Sequence, residues 1–122
     1  MLVSCDKNSD TDNPVDKNLI GSYMGTFHRT GMDTVGLILS FSENNFEGSS
    51  TRPKYPAICR GSFQLNTTTV TFTDSCVWTA DFDWTLILNG NYNIDFNSDG
   101  SIRIWRTYGS VSDEYLIRRP IR

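Results

Sequence analysis

The chain has 122 residues, a formal net charge of −3, 38% hydrophobic residues and nine glycines, a composition that builds a globular domain. This length fits one domain with a core of its own, and no apolar run approaches the roughly 20 residues of a membrane-crossing helix. Eleven Lys and Arg against fourteen Asp and Glu leave no broadly basic face for nucleic acid, and one His with three Cys leaves little for a metal or nucleophile site.

Leu2-Val3-Ser4-Cys5 has the form of a bacterial lipobox, in which a peptidase cleaves after a small residue once the Cys thiol carries a diacylglyceryl group. Each buried methylene of such a chain contributes about 0.8 kcal/mol, and two or more chains anchor stably. Cys5 is therefore the expected lipidation site, with the bilayer as partner. The apolar stretch and basic start of a signal peptide do not precede it, so the sequence is expected to begin near the processing site. Asp6 to Asn18 is polar and rich in Asp, Asn, Ser and Lys, too poor in apolar surface to offset its ordering entropy. Residues 1–18 thus read as a lipobox remnant and acidic flexible tether, and residues 19–122 as the folded domain.

From Leu19 onward the hydrophobic period is two. Tyr23, Gly25 and Phe27 alternate with polar or small residues, as do Val35, Leu37, Leu39 and Phe41, and clusters of Gly, Asn, Asp or Ser bound each set. The pattern predicts strands over Ile20–His28, Val35–Ser42, Asn45–Ser50, Ile58–Asn66, Thr69–Asp74, Asn91–Phe96, Ser101–Tyr108 and Glu114–Ile121. Eight strands linked mostly by hairpins can close on themselves and leave no edge, so the expected fold is all-β, an eight-stranded antiparallel up-and-down barrel. Trp78 to Leu88 also alternates, in phase with Tyr92. A single strand from Trp78 to Phe96 would span about 60 Å, too long for this protein. Asn89-Gly90 is the expected break. The stretch before it is expected to fold over the barrel mouth as an aromatic plug, or to form a short helical turn around Trp84–Leu88.

A turn centred between Thr67 and Thr68 pairs Leu65 with Val70, Phe63 with Phe72 and Gly61 with Asp74, and carries Cys59 to face Cys76. Facing residues of an antiparallel pair lie about 4.5–5.5 Å apart, within disulfide reach. Secretion would oxidise this pair and leave Cys5 for lipid. The alternative is a reduced pair of neighbouring thiols.

Other motifs carry less chemistry. Asp95 to Gly100 reads D-x-N-x-D-G, the start of an EF-hand loop, but Arg106 stands where the bidentate Glu belongs and the flanks alternate like strands, so a turn is expected and no metal. His28 at a strand end reads as a surface residue. Asp81 and Asp83 lie among aromatics with the spacing of a carboxylate pair that could serve hydrolysis, or as the solvated edge of the plug. Arg103, Arg106, Arg118, Arg119 and Arg122 make the C-terminal strands locally basic, and one could close a barrel end by stacking on a ring. Asp33-Thr34-Val35 and Asn66-Thr67-Thr68 fit glycosylation patterns too short to weigh.

Three stretches, Tyr55-Pro56-Ala57-Ile58, Val70 to Cys76 and Trp78 to Gly90, resemble small lipoproteins of the Bacteroidota described as lipocalin-like and largely of unknown function. The resemblance covers Leu19 to Arg122 and implies a lipocalin-like, calycin-type barrel. Gly21-Ser22-Tyr23 resembles the Gly-x-Trp of the first lipocalin strand, and Arg118 or Arg119 would be the late arginine packing across it. The acidic tract at Asp6, Ser9, Asp10 and Asp12 resembles the surface-export signal of such lipoproteins. The implied location is the bacterial cell envelope, anchored in the outer membrane on its periplasmic or surface face.

The leading functional expectation is a non-catalytic, envelope-anchored barrel that binds a small apolar or amphipathic ligand, with no cofactor. Tyr23, Phe27, Phe41, Phe63, Phe72, Trp78, Trp84, Tyr92 and Phe96 would line its interior or mouth. The alternative is a module facing a surface protein or glycan, such as an inhibitor or accessory subunit, touching it through aromatics in Lys54–Pro56 and Trp78–Trp84. A hydrolase using Asp81 or Asp83 ranks third.

Overall fold

The computed structural model describes residues 19–52, 54–78 and 83–120. Eight antiparallel strands form a closed up-and-down barrel: β1 Gly21–Arg29, β2 Val35–Phe41, β3 Asn45–Ser50, β4 Arg60–Leu65, β5 Thr69–Asp74, β6 Gly90–Phe96, β7 Ile102–Tyr108 and β8 Val111–Arg118. Each strand pairs with the next, and β8 returns to β1, with Phe27 opposite Tyr115 and Met24 opposite Arg118. A Cβ at Gly25 would stand 2.0 Å from the Leu116 carbonyl oxygen, so a glycine is what lets β1 and β8 approach closely enough to close the ring.

All eight expected strands are present: Asn45–Ser50 and Thr69–Asp74 have their expected bounds, and four more differ from theirs by one residue at one or both ends. The clearest displacement is the last strand, expected over Glu114–Ile121 and found over Val111–Arg118. Its two-residue turn at Gly109 and Ser110 is tighter than the reading allowed, so pairing with β7 begins three residues earlier, at Tyr108 with Val111. The β4 strand is also shorter than expected, since Ile58 and Cys59 belong to the connection before it. In the β4–β5 hairpin the register is Leu65 with Val70, Phe63 with Phe72 and Gly61 with Asp74. Just beyond that ladder a disulfide joins Cys59 and Cys76, their Cα atoms 6.3 Å apart.

An eight-stranded barrel is only just wide enough inside for side chains to fill it. Here aromatic rings do so as a continuous chain. Tyr23 meets Phe41 at 5.8 Å between centroids, Phe41 meets Phe72 at 6.2 Å, Phe72 meets Tyr92 at 5.6 Å and Tyr92 meets Tyr115 at 6.0 Å. From there Tyr115 meets Phe27 at 4.8 Å and Phe27 meets Tyr55 at 5.6 Å, so the chain runs the length of the barrel. Most contacts are edge to face, the arrangement that the ring quadrupole favours. Leu37, Leu39, Ile94, Ile104 and Ile117 fill the remaining volume.

The connections differ sharply between the two ends. Residues 42–44, 66–68 and 97–101 turn tightly at one end. The longer connections 51–59 and 75–89 sit together at the other. They are joined there by a parallel bridge between Ala57 and Ile87 and by hydrogen bonds from Ala57 N to Leu86 O and from Leu88 N to Ala57 O, both 2.9 Å. Of the two expectations for this stretch, the short helical turn is the one found, and among the described residues it is aliphatic ones that are buried here: Leu86, Ile87 and Leu88 are buried, whereas Trp84 is 55% exposed. A single 3-10 turn over Trp84–Leu86 breaks the strand phase and rotates Trp84 outward. Asn89-Gly90 is the break before β6, with Gly90 at φ 101°.

Candidate functional site

The end of the barrel carrying the long connections also holds a buried charge cluster. On β1 the inward positions are Tyr23, Gly25, Phe27 and then Arg29; on β8 they are Asp113, Tyr115 and Ile117. Two charges therefore enter the core at facing positions. Arg29 Nε and Nη2 donate to Asp113 Oδ1 and Oδ2 at 2.6 and 2.8 Å, a bidentate pair in which Arg29 is 6% and Asp113 1% exposed. Arg29 Nη1 donates to Asp83 Oδ2 and Thr85 Oγ1, both at 3.0 Å, and Nη2 donates to the Tyr108 hydroxyl. The hydrogen bonds it donates to Asp113 hold Arg29 above its already high ordinary pKa, so it stays charged at any working pH.

A second arginine completes the fastening. Arg106 donates to Thr85 O at 2.8 Å and to Asn89 O at 3.1 Å, and lies 4.5 Å from the Tyr92 ring centroid. Its Nε stands 3.7 Å from Asp113 Oδ2. Residues 83–89 are thus strapped to the barrel by two guanidinium groups, both of which donate to Thr85 O. Asp83 caps the 3-10 turn. The Thr85 hydroxyl and backbone N–H, and then the Arg29 charge, lower its carboxyl below the ordinary carboxylate range. Burial pushes the Tyr92 phenol up to about 12, the Arg106 charge only partly opposing it, and burial also raises the Tyr115 phenol well above its ordinary value.

Beside the strap a groove of about 880 Å³ opens on the outside of the barrel, within the size range of small-ligand sites. Trp78, Trp84 and Tyr108 give it aromatic walls. Its polar lining includes Asp74, Asn89, Asn91 and Arg106. Trp78 is held by its indole N–H, which donates to Asp74 Oδ2 at 2.8 Å. The other oxygen, Asp74 Oδ1, is recessed from solvent and accepts no hydrogen bond among the described residues. Asn89 Oδ1 accepts from the Asp74 backbone N–H at 2.8 Å, which sets the oxygen of that amide toward β5.

Of the residues expected to line a ligand space, Tyr23, Phe27, Phe41, Phe72 and Tyr92 are buried against one another, and Phe63 and Phe96 pack on the same core. The expectation of a lined interior is corrected by this packing, because the rings meant to surround a ligand fill the space themselves. None of the seven lines the groove, whereas Trp78 and Trp84 do. The expected contact surface at Lys54–Pro56 is also corrected. Tyr55 and Pro56 are buried, and the Tyr55 hydroxyl donates to Asp33 O at 2.8 Å.

Asp81 and Cys5 lie outside the described residues, as do Thr79 to Phe82. His28 is exposed on the outer wall. In the EF-hand-like segment, Asp99 Oδ1 accepts from Ser101 N at 2.9 Å and from Ser101 Oγ at 2.6 Å, the hydrogen bonds of a turn between β6 and β7. Of the two late arginines, Arg119 takes the stacked position, 4.8 Å from the Tyr23 ring centroid, and donates to Ile20 O at 3.0 Å.

Sequence reasoning missed Arg29, Asp113 and the polar half of the groove. The signal for the first two was present: extending the inward phase of β1 and β8 by one residue reaches a cation on one strand and an anion on the other. Arg106 was among the arginines expected to stack on a ring, as it does on Tyr92, but its place beside Asn89 and Asn91 carried no signal, because the strap that brings them together breaks the period. Comparison with protein-family models, with curated proteins and with solved structures returned no match.

Proposed function

We propose that this protein is a lipid-anchored, non-catalytic binding module of the bacterial envelope that takes a small amphipathic ligand in the groove at Trp78 and Trp84, outside a filled barrel. One contrast carries the reading: the interior is occupied by its own rings, whereas the groove beside the strap is open, aromatic-walled and edged with polar groups. Small-molecule sites combine apolar walls with a few fixed polar groups in this way. Asp83, the described member of the carboxylate pair, serves as a structural acceptor for Thr85 and Arg29, which favours binding over hydrolysis.

The anchor rests on the Leu2-Val3-Ser4-Cys5 motif, and the disulfide between Cys59 and Cys76 leaves Cys5 as the thiol available for lipid. Metabolic labelling with an alkyne fatty acid, in cells exporting the chain behind a lipoprotein leader, tests this part. Label should appear in the parent and in Cys59→Ser/Cys76→Ser and vanish in Cys5→Ser; label retained in Cys5→Ser would refute the anchor.

The groove is tested by native mass spectrometry and tryptophan fluorescence against a panel of fatty acids, lysophospholipids and soluble oligosaccharides. At least one class should bind the folded parent, and Trp84→Ala should lose that binding without lowering the unfolding midpoint. Binding that survives Trp84→Ala, or none across the panel, overturns the groove.

A further inference from the structure

We infer that the ligand class of this groove is a neutral saccharide, an assignment that rests on the groove reading above and narrows it. The polar groups around the aromatic walls are arranged for hydroxyls. Asn89 and Asn91 both have their Oδ1 atoms taken by the protein, Asn89 by the Asp74 N–H at 2.8 Å and Asn91 by the Thr71 hydroxyl at 2.6 Å. Among the described residues that leaves their NH₂ groups, donors held at fixed places, as the ends for a ligand. Asp74 adds a negative charge beside them, with Oδ2 accepting from the Trp78 indole N–H and Oδ1 closed off from solvent. A sugar hydroxyl accepts from an amide donor without bringing a charge of its own. The apolar face of a pyranose ring suits the exposed indole of Trp84, which is 55% accessible.

Charge separates this class from other amphiphiles. A fatty acid or phospholipid headgroup needs a cation free to meet it. Arg106, the cation lining the groove among the described residues, already donates to Thr85 O and Asn89 O and faces Asp113 at 3.7 Å. Asp74 would repel an anionic head from the same groove. A cationic ligand would meet Arg106 in turn. The pairing of one engaged cation with one carboxylate selects an uncharged, hydroxyl-rich partner.

Isothermal titration of the folded chain with neutral oligosaccharides of glucose, galactose and N-acetylglucosamine, with oligogalacturonate, and with decanoate and lysophosphatidylcholine, tests the assignment. One or more neutral sugars should bind, with an affinity nearly independent of salt, and oligogalacturonate should bind more weakly. Asn91→Ala should weaken the neutral sugar about fivefold, the effect of one lost hydrogen bond, and Trp84→Ala about tenfold or more. Trp84→Phe, which keeps a ring, should recover part of that loss. Decanoate or the lysolipid binding at Trp84 while every neutral sugar fails would overturn the saccharide assignment and leave the groove standing. No binding by any probe would overturn both.

Discussion

At one end of the barrel the strands are joined by short turns, and Arg119 lies over Tyr23, close to the surface. At the other end two long connections meet, are stapled by Cys59–Cys76, and are bound down by Arg29 and Arg106 onto a buried Asp113. Both ends use an arginine against a ring, but in different dielectric settings. Arg119 is exposed and can exchange its contacts for water. Arg29 cannot, and its partner is buried with it. The first end only closes the barrel; the second also fixes a strap and, by fixing it, shapes the groove. Charge removed from solvent is costly to bury and costlier to leave unpaired, so such a cluster holds a single arrangement.

The contrast can be broken in steps. Arg29→Met leaves Asp113 buried with Arg106 and the Tyr108 hydroxyl beside it, and should cost about 3–5 kcal/mol, a large share of a small domain's stability. Urea unfolding measures it, and a loss under about 1 kcal/mol would mean that Arg106 and Tyr108 together satisfy Asp113. Next in size is the staple. Removing a disulfide that spans 17 residues should cost about 3 kcal/mol in the Cys59→Ser/Cys76→Ser variant, read from the same unfolding curves. No change there would place the restraint on the long connections wholly in the arginines. At the opposite end Arg119→Ala should cost about 1 kcal/mol or less; an effect equal to that of Arg29→Met would erase the distinction between the ends.

The smallest effect is that of pH on the strap. The folded Asp83 carboxyl is lowered by the Thr85 hydrogen bonds and then by Arg29, so its contribution is present above the unfolded value near about 3.9 and is lost as pH falls through the lower folded value. Trp84 fluorescence should thus stay flat from neutrality to about pH 4 and change below it. Asp83→Asn should remove that acid step while shifting stability by only a few tenths of a kcal/mol, because the pair is half exposed. A transition of unchanged midpoint in Asp83→Asn would assign it to another group.

The barrel was legible from alternation, because a strand with one buried face must place an apolar side chain at every second position. The β4–β5 hairpin shows how far that goes: fixing the turn at Thr67 and Thr68 fixes every pair out to Gly61 with Asp74, and places Cys59 near Cys76. The interior was less legible. Alternation says that Tyr23, Phe41 and Phe72 point inward, but whether they line a space or fill it depends on the barrel's radius, which the pattern does not contain. The strap resisted most. Trp84 and Leu86 continue the period of two and so share one expected face, but the 3-10 turn over Trp84–Leu86 buries Leu86 and leaves Trp84 outside. Asn89, Asn91 and Arg106 become neighbours of one groove only through hydrogen bonds to backbone carbonyls and amides, and those bonds leave no mark on side-chain periodicity.

The most direct measurement is a ¹H–¹⁵N NMR titration of the folded chain with the neutral oligosaccharide that binds best. The groove predicts shifts concentrated on the Trp78 and Trp84 indole N–H signals and the Asn89 and Asn91 side-chain amides, with the backbone amides of Tyr23, Phe41 and Phe96 at the far end unmoved. Shifts spread along the inward positions of β1, β2 and β6, with the indoles unchanged, would put the ligand inside the barrel and contradict this account.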